Sequence, residues 1–223
     1  MTTAEQLREQ YGALTSEEVA ALDRAAGEAG VTVTQLMEIA GWQVARCAWK
    51  LLDERPERVG VVAGRGNNGG DALVAARHLT TWGCTVTTYR IGEDDPDALS
   101  QSFARAALVI DGILGTGLRS APREPPASAV YAINDAGIRV LAIDIPSGMD
   151  ASSGDVYEPC IRAAVTCTLA ALKAGLLNRS AKSHVGDIWV ADIGMPAAAW
   201  SACGLAQPTA IRGGLLAPIP VTT

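Results

Sequence analysis

Eight residues, Gly64-Arg65-Gly66-Asn67-Asn68-Gly69-Gly70-Asp71, stand between an apolar run of strand character, Val59 to Ala63, and a helix-like run, Ala72 to Thr80. Glycines at four of the first seven positions permit a tight turn and leave its backbone N–H groups uncovered. A helix beginning at Gly69 or Gly70 points unpaired N–H groups and the positive end of its dipole into the same space. The chain is thereby restricted to folds in which a strand passes into a helix across an anion site, most often one for phosphate. Gly64-x-Gly66-x-x-Gly69 also matches the dinucleotide fingerprint in this setting. A dehydrogenase adds an acidic residue near the end of the second strand. Tyr89-Arg90 stands there instead, and Arg90 suits either a 2′-phosphate or solvent.

Around this loop the pattern alternates. Residues 15–29 read as a helix, with Thr15 and Glu18 spaced as a capping box and Gly30 as its end. A second helix runs from Thr34 to about Leu52. Strands are expected at 59–63, 85–89, 108–114, 140–145, 165–170 and 187–193. Helices are expected at 69–81, 97–107 and 128–135, with 160–164 also helical. Continuous apolar strands alternating with helices imply a mainly parallel sheet covered on both faces, an α/β three-layer sandwich preceded by N-terminal helices. At 223 residues the chain suits a single domain, with its core over about 15–200 and a looser tail over about 205–223. Ligands of such sheets bind beyond the carboxyl ends of the strands.

A formal charge of −6 disfavours nucleic acid, which needs a basic face. The five cysteines are odd in number and form no CxxC pair, as expected of free thiols in a reducing cytoplasm. No apolar run is long enough to span a bilayer, and no signal peptide is apparent. With only His78 and His184, chemistry must come from carboxylates, lysine, hydroxyls, amides and backbone.

The strand ends supply such groups. Asp111-Gly-Ile-Leu-Gly-Thr-Gly117 follows the third strand, Asp144-Ile-Pro-Ser-Gly148 follows the fourth, and Lys173 follows the fifth. Asp111 and Asp144 read as site carboxylates. Asn68, Asp111 and Ser147 are hard oxygen donors, suited to an alkali or alkaline-earth ion. Lys173 is one of three lysines in an arginine-rich chain, fit either for a compact charge in a site or for the surface.

Taken together, the asparagine-bearing glycine loop, Leu36-Met37-Glu38-x-Ala40-Gly41, Asp111 to Gly117, Asp144 to Gly148, Lys173-Ala-Gly175 and Val190-Ala-Asp192-Ile-Gly-Met-Pro196 resemble the NAD(P)H-hydrate epimerase family over roughly residues 15–200. The resemblance implies a Rossmann-like fold and interconversion of the R and S forms of hydrated NADH or NADPH. It implies a potassium ion held through Asn68, Asp111 and Ser147. It also implies substrate contacts from Asn67, Asn68, Gly69, Gly70 and Asp71, from Gly115, Thr116, Gly117, Leu118, Arg119, Ser120 and Ala121, and from Asp144. Homodimerisation and cooperation with a separate dehydratase are implied likewise.

In such a substrate one carbon carries a hydroxyl and the ring nitrogen. Loss of hydroxide to an iminium, or ring opening and closure, needs an acid and a carboxylate that steadies positive charge. Asp144 is the expected acid–base group and Lys173 its helper. The competing readings are a non-catalytic nucleotide-binding or scaffold module and, third, an NADP dehydrogenase.

Overall fold

The computed structural model describes residues 4–211, 213 and 216–218. Helices α1 (Ala4–Tyr11), α2 (Ser16–Glu28) and α3 (Val33–Leu51) precede strand β1 (Arg58–Ala63). Then come α4 (Asn67–Thr81), β2 (Thr85–Arg90), the short α5 (Leu99–Ser102), β3 (Leu108–Gly112), α6 (Pro126–Asp135), β4 (Val140–Ile143) and β5 (Val165–Leu169). A one-turn α7 (Lys182–Val185), β6 (Asp187–Ala191), α8 (Ala197–Ala202) and β7 (Leu216–Pro218) complete the described chain.

The strands form one sheet in the order β2-β1-β3-β4-β5-β6-β7. The first six are parallel, and β7 pairs antiparallel with β6. Because β2 lies to one side of β1 and β3 to the other, the order reverses between β1 and β3. At such a switch point the loops leaving the strands diverge and open a crevice.

Strand alternation divides the core. Val61, Leu108, Ile110, Leu141, Ile143 and Cys167 face a layer carrying Leu22, Val44, Ala48, Ala75 and Leu79 of α2, α3 and α4. Val62, Val109, Val140 and Ala142 point the other way, onto Leu99 of α5, Phe103 just beyond it, and Val130 and Ile133 of α6. The αβα sandwich is therefore as expected. Helices α2 and α3 begin at capping boxes, Thr15 with Glu18 and Thr32 with Gln35. Gly30 ends α2 at φ 86°.

Several expectations are corrected. Residues 160–164 are not helical. Their amides bond outward, Ile161 N–H to Ser147 O at 2.8 Å, Ala163 N–H to His184 O at 2.9 Å and Ala164 N–H to Val140 O at 2.9 Å. The helix expected over 97–107 ends at Ser102, because Phe103 turns under Gly60, Arg105 takes φ 61° and Ala107 N–H joins Arg58 O. Helix α4 starts at Asn67, two residues before the glycines expected to open it. The strands stop early, β3 at Gly112, β4 at Ile143, β5 at Leu169 and β6 at Ala191, and the residues released there build the site. Of the tail expected to be loose, Leu216–Pro218 is the edge strand β7, while 212, 214, 215 and 219–223 lie outside the described residues. No helix among the described residues is long and apolar enough to cross a membrane.

Candidate active site

A cavity of about 660 Å³ opens at the carboxyl ends of β1, β3, β4 and β5. That size is ordinary for a small-molecule site. One wall is the loop Gly64 to Gly66 with Asn67, Asn68 and Asp71 of α4. Gly115, Thr116 and Gly117 form a second wall, while Asp144, Leu169, Ala170 and Lys173 form the floor. Helices α2 and α3 close the remaining side with Leu22, Asp23, Leu36, Met37 and Ala40.

The floor is built from two tight turns. After β4, Asp144 takes φ 64° while Ile145 N–H reaches back to Ile143 O at 2.7 Å. After β5, Ala170 takes φ 62° while Ala171 N–H reaches Leu169 O at 2.7 Å. Each positive φ on a residue with a Cβ costs on the order of 1–3 kcal/mol. The turns swing the Asp144 carboxylate and the Lys173 ammonium together beneath the cavity. Lys173 Nζ donates to Asp144 Oδ1, to Leu169 O at 2.6 Å and to Ala171 O at 3.3 Å. Asp144 Oδ1 also accepts from Leu169 N–H at 3.0 Å and Thr168 O–H at 3.3 Å. The lysine side chain is only 2% exposed, so its role lies in the site and not on the surface.

Beneath the wall, Asp111 is completely buried. Its Oδ1 accepts from Ser147 O–H at 2.7 Å and Ile113 N–H at 3.1 Å, and its Oδ2 from Ser147 N–H at 2.9 Å. Burial pushes this carboxyl up to about 6, against the lowering by those three bonds. Ser147 Oγ also accepts from Leu114 N–H at 2.9 Å, while Asn68 Nδ2 donates to Leu114 O at 2.8 Å and Ile143 O at 3.2 Å. Asn68, Asp111 and Ser147 thus converge on the segment leaving β3, as their sequence positions suggested.

Asp71 behaves differently. It is 7% exposed and lines the cavity, and its carboxyl makes no hydrogen bond or ion pair among the described residues. Desolvation, followed by the charge of Asp144, raises its carboxyl from 3.8 to about 8. Lys173 lowers it and Asp23 raises it by smaller amounts. An aspartate raised in the folded state contributes stability fully below about pH 4 and loses it as pH rises through the folded value, here about 8. Asp71→Asn removes that loss. We expect the variant to melt near the wild-type temperature at pH 5 and several degrees above it at pH 9, measured by thermal denaturation across pH.

The loop glycines act mainly by close packing. None of Gly64, Gly66, Gly69 and Gly70 has a positive φ. Gly69 lies against the backbone of Gly64, and Gly70 against Met37 of α3, so neither lines the cavity. Leu118, Arg119, Ser120 and Ala121 also lie outside its wall. Arg119 turns to α2, donating to Ser16 Oγ and to Glu17 Oε1, each at 3.0 Å. Asp23 was not foreseen. It lines the cavity from α2, and although the residue as a whole is exposed, partial burial raises its carboxyl, with Lys173 lowering it and Asp144 raising it by a smaller amount. One acidic residue on an amphipathic helix carries no sequence signal of such a position.

A family model described as YjeF-related protein N-terminus matches residues 33–102 and 89–175. The chain is 40% identical over 189 residues to an NAD(P)H-hydrate epimerase of Cenarchaeum symbiosum, across 72% of this chain and 85% of that one. It is 35% identical over 198 residues to an NAD(P)H-hydrate epimerase of Pirellula staleyi, across 76% and 86%. A bifunctional NAD(P)H-hydrate repair enzyme of Pyrobaculum aerophilum is 37% identical over 212 residues. That match takes in 82% of this chain but spans 42% of the longer relative. Among solved structures, yeast ynu0 superposes with a TM-score of 0.76 at 23% identity over 93% of this chain and 99% of that one, which shows a shared fold. With its glycine loop, its strand-end aspartates and these matches in agreement, the chain belongs to the family of YjeF-related N-terminal domains, in company with these NAD(P)H-hydrate epimerases.

Proposed function

We propose that this protein is an NAD(P)H-hydrate epimerase, interconverting the R and S forms of hydrated NADH and NADPH. The observation that carries the reading is the Asp144–Lys173 pair, buried beneath a nucleotide-sized cavity whose wall is a helix N-terminus. The open N–H groups at the start of α4 suit the substrate's phosphates. Asp144, with Oδ1 fixed by its donors, faces the cavity as the acid–base group, and Lys173 holds it in place. A carboxylate at the floor also steadies the positive charge that develops as the hydroxyl leaves. A binding or scaffold module would have no need of a buried ion pair on two turns of positive φ.

A potassium ion belongs to the proposal. Asp111 is a fully buried carboxyl with no cationic partner among the described residues, and the groups around it, Ser147 Oγ, the Asn68 amide and Leu114 O, offer oxygen donors. This set fits a hard monovalent ion. Asn68, Asp111 and Ser147 would hold it, and when bound it supplies positive charge under the cavity wall. The reading extends to a cytoplasmic setting, supported by five free thiols. It also extends to a separate dehydratase that consumes the S form and to a homodimer burying the exposed Val33, Ile39 and Trp42 of α3.

The test uses purified R hydrate and an S-specific dehydratase. Adding this protein should make consumption of the R form fast and proportional to protein concentration, and faster in potassium than in choline salts. R hydrate that disappears no faster than in its absence refutes the assignment.

A further inference from the structure

We infer that Asp71 is a second catalytic residue, the proton donor to the departing hydroxyl, paired with Asp144 as acceptor. The inference rests on the hydrate-epimerase reading and adds a role that binding alone does not give.

Epimerising a carbon that carries a hydroxyl breaks the C–O bond on one face and makes it on the other. One group gives a proton to the oxygen that leaves, and another takes a proton from the water that arrives. The cavity holds two buried carboxyls on different elements, with opposite surroundings. Asp144 is surrounded by donors, from Lys173, Thr168 and the Leu169 amide, and is placed to accept. Lys173 has spent its three hydrogens on Asp144, Leu169 O and Ala171 O. Lys173 therefore acts on Asp71, on α4, only through its charge, and among the described residues no side chain or backbone group donates a hydrogen bond to the Asp71 carboxyl. A buried carboxyl so placed retains its proton. The charged groups facing it are Asp23 from α2, Asp144 from the end of β4 and Lys173 beyond β5, while α3 presents apolar Leu36 and Met37. Their balance, with burial as the largest cause, lifts Asp71 to about 8, so it carries the proton at neutral pH.

In the step, the Asp71 proton passes to the hydroxyl oxygen. The C–O bond breaks and its electron pair leaves with water. The ring nitrogen lone pair closes the C=N bond of the iminium. Water then adds to the other face and its proton goes to Asp144. Asp71 ends as carboxylate and Asp144 as acid, and the reverse passage or exchange with solvent resets them. One water leaves and one enters.

The experiment compares wild type, Asp71→Asn and Asp71→Glu for R-to-S conversion from pH 5 to 9.5, with NADPH titration as the measure of nucleotide binding. Asp71→Asn should lose on the order of 100-fold or more in rate, with NADPH affinity within about threefold of wild type. Asp71→Glu should recover at least roughly tenfold of that loss. The wild-type rate should fall above about pH 8, and the residual Asn rate should lack this limb. An Asn variant within about fivefold of an active wild type overturns the proposal. So does a loss that NADPH affinity follows in full, since Asp71 would then only bind. A wild type inactive on R hydrate removes the epimerase reading itself, and this inference with it.

Discussion

Asp144→Asn should abolish R/S interconversion, with a fall of roughly 10³-fold or more, because it removes both the proton acceptor and the charge facing the developing cation. The same substitution should lower the melting temperature. Lys173 is 2% exposed, and removing the partner of a buried ion pair costs about 3–5 kcal/mol. In a domain of this length each kcal/mol shifts the midpoint by about 2–4 °C, so a drop on the order of 10 °C is expected. The lysine keeps Leu169 O and Ala171 O, and the Asn side chain still offers an acceptor, so the fold should survive. The double variant Asp144→Asn with Lys173→Met separates the two effects. Replacing a buried pair by neutral groups is often neutral or stabilising. The double variant should therefore recover much of the melting temperature and none of the rate. Chiral separation of the hydrates and thermal denaturation of wild type, the single variant and the double variant decide it. Near-normal conversion by Asp144→Asn would remove Asp144 from the chemistry.

The sequence shows where Asp144 and Lys173 stand but not how they meet. Strand–helix alternation and the apolar period place both residues beyond adjacent strand ends, and that depends on local patterns. The left-handed turns at Asp144 and Ala170 that bring them together arise from tertiary contacts, such as Asp144 N–H to Cys167 O and Ala170 N–H to Ala191 O. No residue-type signal marks them, since neither position is glycine. Asp111 and Ser147 were legible, with Asn68, as one set of hard oxygen donors following strand ends. That they bond each other follows from β3 and β4 being neighbours. The misread segments fail for a related reason. Residues 160–164 have a composition that tolerates helix, but their amides find partners on Ser147, His184 and Val140, far along the chain. Asp23 illustrates the limit most clearly, for its importance comes only from facing the floor built by β4 and β5.

Gly69→Ala should be among the most damaging single changes in the glycine loop, and Gly66→Ala among the mildest for stability. A Cβ on Gly69 would stand 1.9 Å from Gly64 O and 2.7 Å from its carbonyl carbon. A Cβ on Gly64 would stand 1.9 Å from Ile113 O. Those neighbours are backbone, fixed by the β1–β3 ladder and the first turn of α4, and cannot swing aside. Relief requires separating the loop from the helix start or from the strand end. The expected cost is about 4 kcal/mol or more, at the extreme of single substitutions, and comparable in effect to losing the fold at 37 °C. At Gly70 the obstacle is the Sδ and Cε of Met37, a flexible chain end that can move, so Gly70→Ala should cost less. At Gly66 nothing lies within 4 Å and the backbone is extended, so the fold should lose only about 1 kcal/mol, the cost of alanine in place of glycine at a helix N-cap. The added methyl would instead stand at the mouth of the anion site and weaken nucleotide binding. Denaturant melts should rank Gly69 and Gly64 as most affected, then Gly70, then Gly66, while NADPH titration of the folded Gly66 variant should show weakened affinity. Equal destabilisation at all four positions would mean that the loop needs glycine for backbone freedom throughout. The absence of any positive φ at these positions argues against that and assigns Gly64 and Gly69 to close backbone contact, leaving Gly66 to keep the approach to the helix open.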